Sequence, residues 1–224
     1  MRIGIVGGTG GMGRGFALRW SRSHDIIVGS RSAQRAEESA AAYRDEAAQA
    51  FGGIRGSVRG TDNVSAAKES DVLLLSIPYE NIDSTCPDVL SAAPESCVVV
   101  SPVVPMKKTK AGFEFIPLME GGGGSAHQLI GAHMRDPSRL VSAFHVISEK
   151  KLADPKRDLD YDIFVCGDDA DAVDTVKGLI GEIAGLRPIY LGGGSLAYMA
   201  EISTPILLNA MIRNKIKNPG IKIL

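Results

Sequence analysis

The stretch "RIGIVGGTGGMG" (residues 2–13) constrains this chain more than any other. A short apolar run stopped by Gly7-Gly8 and followed at once by helix-forming residues reads as a buried strand, a tight turn and a helix. Within it, Gly8-x-Gly10-x-x-Gly13 has the spacing that a βαβ unit uses to seat a diphosphate. Gly8 permits the turn, Gly10 removes the side chain that would block the anion, and Gly13 lets helix and strand approach closely. The free N–H groups around Thr9, Gly10, Gly11 and Met12 then face the diphosphate at the positive end of the helix. A glycine-rich turn with no ligand is the competing reading; the strand–turn–helix context argues against it.

The rest of the chain repeats the strand–helix alternation. "DIIVG" (25–29) reads as a second strand and 32–50 as a strong helix, with Ser32 as N-cap. A weak strand is expected around 54–58 and a short helix at 62–69, with Thr61 or Asp62 near its cap. "DVLLLSIP" (71–78) and "CVVVSP" (97–102) read as buried strands, each ended by proline. Residues 105–137 read mostly as loop, including Gly121–Gly124, with one helix at 125–134. Then come "RLVSAFH" (139–145) and "YDIFVCG" (161–167) as strands. A helix capped by Asp168 or Asp169 and ended by Gly185 follows, then a strand at "RPIYLGG". The final helix, 195–216, should be kinked or split by Pro205. The fold class is therefore α/β: a Rossmann-type, doubly wound, mainly parallel sheet with a small C-terminal α/β extension. We divide it into a nucleotide-binding part, 1–145, and a smaller part, 146–224.

The second strand ends in Gly29-Ser30-Arg31, where a site for an unphosphorylated ribose would carry a carboxylate. A hydroxyl and a guanidinium there favour a 2′-phosphate instead, and Arg35, one turn on, adds a second cation. The cofactor expected is NADP. Solvated helix-face charge is the bland alternative for the two arginines. Further strand ends at Ser76-Ile77-Pro78-Tyr79 and Ser101-Pro102-Val103-Val104 face the same crevice, and could wall the nicotinamide.

Composition excludes several classes. With 224 residues, 44% hydrophobic and 23% charged, and a net charge of −1, nothing draws the chain to nucleic acid or a membrane surface. Cys86, Cys97 and Cys166 are scattered, which fits buried thiols in a reducing compartment and gives no zinc spacing. No signal peptide or bilayer-length apolar run is expected, so the location expected is cytoplasmic. His127 and His133 read as surface histidines. No metal site, nucleophile elbow or Tyr-x-x-x-Lys pair is found. The apolar final helix is expected to be buried, in a homodimer if not in the core.

Read in order, "IVGGTGGMGRGFALRW", "IIVGSRS", "SIPYE", "VVVSPVVP", "VSAFHVI", "VCGDD", "GLRPIYLG", "ISTPILLN" and "GIKIL" resemble the archaeal F420-dependent NADP reductases over the whole chain. The resemblance implies reversible hydride transfer between coenzyme F420, a deazaflavin, and NADP. It implies that Thr9, Gly10, Gly11 and Met12 hold the diphosphate and that Ser30, Arg31 and Arg35 hold the 2′-phosphate. Ile77, Tyr79 and Val104 would border the nicotinamide. His145, Glu149, Thr204 and Pro219 would approach the deazaflavin, and Arg187, Lys215, Lys217 and Lys222 are candidates for its anionic tail. The chain departs from the family pattern at Tyr79 (Trp favoured), Ser148-Glu149 (Pro-Ala favoured) and Ile202 (a hydroxyl residue favoured). Such chemistry asks the protein for orientation and water exclusion, so His145 is expected to position a cofactor, if it is not purely structural, and no acid–base residue is required. Two other readings fit the nucleotide fold: an NADPH-dependent reductase of a small imine or carbonyl compound, and a non-catalytic NADP(H) sensor.

Overall fold

In the computed structural model, residues 1–116 and 124–224 are described. The loop expected at Gly121–Gly123 lies outside them. Eight strands form one sheet in the order β10-β9-β8-β5-β4-β1-β2-β3. These are β1 (Arg2–Val6), β2 (Asp25–Ser30), β3 (Val58–Asp62), β4 (Val72–Leu75), β5 (Val98–Ser101), β8 (Leu140–Ser142), β9 (Tyr161–Cys166) and β10 (Leu186–Gly192). From β3 to β8 every pairing is parallel. The order reverses between β1 and β4, which is the switch point where open α/β sheets bind ligands. β9 joins β8 antiparallel through a single pair, Ser142 and Cys166, and β10 then runs parallel to β9.

The continuous apolar runs of β4 and β5 are fully buried because helices cover both sheet faces. On one face, α1 (Gly11–Trp20) brings Phe16 and Trp20 into a cluster with Phe144, at centroid separations of 4.7, 4.8 and 5.8 Å. The Trp20 indole N–H donates to the Leu179 carbonyl at 3.1 Å, tying α1 to α7 (Ala170–Gly181). α2 (Ala33–Phe51) buries a stripe of three alanines, Ala36, Ala40 and Ala47, with Tyr43 among them. The Ser32 hydroxyl accepts from the Arg35 N–H, as expected of an N-cap, and Gly52 at φ 71° closes the helix. On the other face lie α3 (Asn63–Lys68), capped by Asp62, and α4 (Ile82–Ala92).

Several elements differ from the sequence expectation. α4 carries Pro87 within it and was not expected. The weak strand sits four residues later than 54–58, because Gly60 must lie against the backbone of Ala36 in α2, where any Cβ would collide. The supposed loop at 105–116 contains a hairpin, β6 (Met106–Lys108) and β7 (Phe113–Phe115). Three-residue strands are too short to show alternation. α5 (Ala126–Gly131) follows, with a Ser125–Gln128 capping box. α7 stops at Gly181, and Gly185, at φ 82°, serves the turn into β10 instead. The final helix, α8 (Ala197–Asn214), runs through Pro205 without splitting. Asn209 of α8 accepts from the Phe113 N–H at 2.9 Å and donates to its carbonyl at 2.7 Å, which docks the hairpin.

Candidate functional site

The fingerprint turn has the geometry its glycines predict. Gly7 takes φ 70° and its N–H donates to the Asn63 side chain at 3.2 Å. The Gly8 N–H donates to the carbonyls of Ile5 and Gly29 at 3.1 and 2.8 Å, which pins the turn to β1 and β2. A Cβ on Gly13 would stand 2.6 Å from the Gly8 Cα, so helix and turn are in backbone contact there. A Cβ on Gly10 would meet nothing nearer than the Gly7 carbonyl oxygen at 3.4 Å, leaving that side of the turn open. Gly10 gives α1 no side-chain cap, and the first turn holds no acid. The N-terminus of α1 thus presents unsatisfied donors to an anion.

At the end of β2, Ser30 is buried and its hydroxyl accepts from the Ser32 N–H at 3.3 Å. Arg31 and Arg35 are exposed. Arg14 and Arg59 pair with Glu46 and Glu69 at 2.5 and 2.6 Å, whereas Arg31 and Arg35 take no acidic partner among the described residues. Asp62, opposite Ser30 in the parallel register, is committed to the start of α3: its carboxylate accepts from the Ser65 N–H at 2.9 Å. That bonding to Ser65 holds its pKa below the usual carboxylate value. Ile77 lies against the turn, 3.4 Å from where a Gly7 Cβ would be, and Tyr79 is half-buried just beyond. Val104 follows β5 at the mouth of the hairpin, its carbonyl accepting from Met106.

A second group of expected residues meets elsewhere. His145, Glu149, Thr204 and Pro219 line one cavity of about 490 Å³, with Leu207 and Met211 of α8 as apolar wall. That volume suits a ligand with a tricyclic ring system. The Thr204 hydroxyl donates to the His145 carbonyl at 2.6 Å, which fixes α8 against the loop after β8. Phe144, packed in the aromatic core, takes φ 72°, a left-handed conformation rarely held by a bulky residue. This turn sets His145 inside the protein with both ring nitrogens lacking a partner. Burial, aided by His127, pushes its pKa down to about 3, so the ring is neutral near pH 7. Both nitrogens are sealed behind the cavity wall, so the neutral ring, with one donor and one acceptor to spare, would reach a ligand only as the ligand displaces that wall.

The sequence reading misplaces some residues and misses others. His127 is buried, not a surface histidine, because α5 docks between β8 and α8; its Nδ1 lies 2.9 Å from the Ser142 hydroxyl. His133 is half-buried and meets Asp83 at 3.2 Å. Arg187 is no free anion receptor. It forms a two-pronged pair with the buried Asp162, at 2.8 and 2.7 Å, and donates to the Ile223 carbonyl. Lys222 pairs with Asp160 at 2.7 Å, while Lys215 and Lys217 remain exposed. Glu201 was not singled out. It is fully buried in α8 and accepts from the N–H groups of Ala126 and His127, both at 3.0 Å. Burial pushes its pKa up to about 7. The available signal was a lone charge in the apolar run "SLAYMAEISTPILLNAMI". The three cysteines are buried and free, as expected, with pKa values raised by burial.

Comparison with known proteins places this architecture. Residues 2–105 match the family described as NADP oxidoreductase, coenzyme F420-dependent. The F420-dependent NADP reductase of Methanocaldococcus jannaschii is 37% identical, covering 100% of this chain and 98% of the relative. That of Methanothermobacter thermautotrophicus is 33% identical, covering 100% and 94%. A solved candidate F420-dependent NADP reductase from Arthrobacter sp. FB24 has a TM-score of 0.78 at 19% identity, over 100% of this chain and 99% of that one. An imine reductase from Streptomyces aurantiacus has a TM-score of 0.60 at 16% identity over 96% of this chain and 64% of its own; both structures share the fold. With 37% and 33% identity to two of its members over the whole chain, and with a glycine fingerprint turn beside a cavity lined by His145, the chain belongs to the F420-dependent NADP reductase family.

Proposed function

We propose that this protein transfers a hydride between coenzyme F420 and NADP, binding NADP along the ends of β1, β2, β4 and β5 and the deazaflavin in the cavity under α8. The observation that carries the reading is the convergence of His145, Glu149, Thr204 and Pro219 on one cavity, next to the fingerprint turn. When bound, the two coenzymes supply the reacting carbons and the hydride itself. The chain's own residues bind and orient. The N–H groups of Thr9, Gly11 and Met12 hold the diphosphate, with Gly10, whose own N–H is given to the Gly7 carbonyl at 3.1 Å, leaving room for it, and Arg31 and Arg35 hold the 2′-phosphate. Ser30 shapes the ribose end. Ile77, Tyr79 and Val104 border the nicotinamide. His145 offers its neutral ring to the polar edge of the deazaflavin, and Leu207 and Met211 exclude water. No side chain is required to gain or lose a proton.

We assign 1–145 to NADP binding and 146–224 to completion of the deazaflavin cleft. The enzyme would act as a cytoplasmic, archaeal homodimer on these small molecules, without nucleic-acid or membrane partners. The supporting points are the archaeal relatives, the near-zero net charge and the apolar exposed side of α8.

The test is turnover. Purified protein, NADPH and oxidised F420 should give loss of the deazaflavin absorbance. A His145→Phe variant should raise KM for F420 about tenfold, the worth of a neutral hydrogen bond, and leave NADPH binding unchanged. Tight NADPH binding with no F420 turnover would refute the reading.

A further inference from the structure

Gly11 begins α1, and the side chain it lacks would strike Glu149: a Cβ there would overlap the carboxylate and lie 2.9 Å from its Cγ. Glu149 begins α6 (Glu149–Leu152) and also lines the cavity under α8, so one carboxylate stands between the diphosphate turn and the second ligand's pocket. Its backbone is held fast. Arg19 of α1 donates to the carbonyls of Leu152, Lys151, Asp154 and Arg157 at 2.9, 3.2, 2.6 and 2.8 Å, and Gly15 packs against Leu152.

A carboxylate beside an uncapped helix N-terminus is favourably placed, and here the helix's own first turn supplies no acid. A diphosphate needs the same seat and carries the same sign, so the two anions cannot share it without repulsion. The open direction is the adjoining cavity, where Glu149 already forms part of the wall.

We propose that Glu149 sets the affinity for the dinucleotide: its carboxylate stands against Gly11 at the edge of the anion seat, taking no N–H of the first turn, and the diphosphate displaces it into the adjoining cavity. The proposal rests on the reading that the diphosphate of NADP lies on the fingerprint turn. It follows that the dinucleotide reshapes the wall of the second pocket as it binds. It also follows that Gly11 is glycine to let this carboxylate in.

The test compares two ligands that share the 2′-phosphate but not the diphosphate. NADPH and adenosine 2′-monophosphate are titrated calorimetrically into wild-type, Glu149→Gln and Glu149→Asp protein, at low and high salt. Removing the charge should tighten NADPH binding five- to tenfold, leave the monophosphate unchanged, and lose this advantage as salt screens the wild-type repulsion. Glu149→Asp, charged but drawn back by one methylene, should fall between. Equal or weaker NADPH binding by Glu149→Gln, or equal tightening of both ligands, would overturn the proposal. A structural role for Glu149 would change both ligands together and lower the melting temperature, so the split between ligands separates the two. Failure of wild-type protein to bind NADPH at all would instead overturn the nucleotide assignment, and the proposal with it.

Discussion

Glu201 concentrates the conflict between burial and charge in one residue. Its carboxyl is enclosed by α5 and α8, yet its bonds to the Ala126 and His127 N–H groups favour the ionised form. Burial wins, and the pKa rises to about 7. Because the folded value lies above the unfolded one, the residue's contribution is fully present below about pH 4 and is lost as pH rises through about 7. Thermal melts should therefore show stability falling from pH 5 to pH 8, by roughly 3 kcal/mol at most. Glu201→Gln, which removes the titration but keeps an acceptor oxygen for only one of the two N–H groups, should flatten that slope at some cost in overall stability. An unchanged slope would show that another group controls it. His127 and Glu201 also show where sequence reading stops. Their burial follows from α5 docking beneath α8, a contact between residues 74 positions apart that no local pattern encodes.

Among the elements, those with local causes were legible and those with tertiary causes were not. The strand–turn–helix at 2–20 could be read because Gly8, Gly10 and Gly13 each answer a constraint within a few residues. Ser32 and Asp169 could be read as caps for the same reason. Of the two outcomes expected at Pro205, a kink or a split, the split does not occur: the helix continues through it with Ala200, Ser203 and Pro205 buried. The C-terminal tail was legible only as a motif. Its hold comes from the buried Asp162, whose N–H donates to the Ile221 carbonyl at 2.8 Å and whose carboxylate accepts from the Ile223 N–H at 2.6 Å. Bonding to Arg187 depresses that carboxylate to about 2. Since Asn218 and Pro219 wall the cavity, Asp162→Asn should free the tail, weaken F420 binding at least tenfold and spare NADPH. It should also lower the urea midpoint, because the substitution leaves a half-exposed guanidinium with one prong unpaired. Parallel titrations of the two coenzymes, with a urea melt, check both outcomes.

For the whole molecule, α8 connects the cavity to the outside. Its inner side holds Thr204, Leu207 and Met211 at the cavity, while Met199 and Ile206 are 46% and 59% exposed on the outer side. Residues Gly194–Asn214 reach a mean hydropathy of 1.2, long and apolar enough to cross a bilayer by composition, although the helix carries the buried Glu201. In the proposed homodimer a second copy would cover that outer side. Sedimentation velocity should give a dimer, and Ile206→Glu a folded monomer; a monomeric wild type would refute the pairing. Arg19 has a consequence of a different kind. By bolting α1 to the segment that borders the other cavity, it would make the gap between two coenzymes bound as proposed a fixed dimension of the scaffold. Donor and acceptor would then be spaced by a gauge that touches neither.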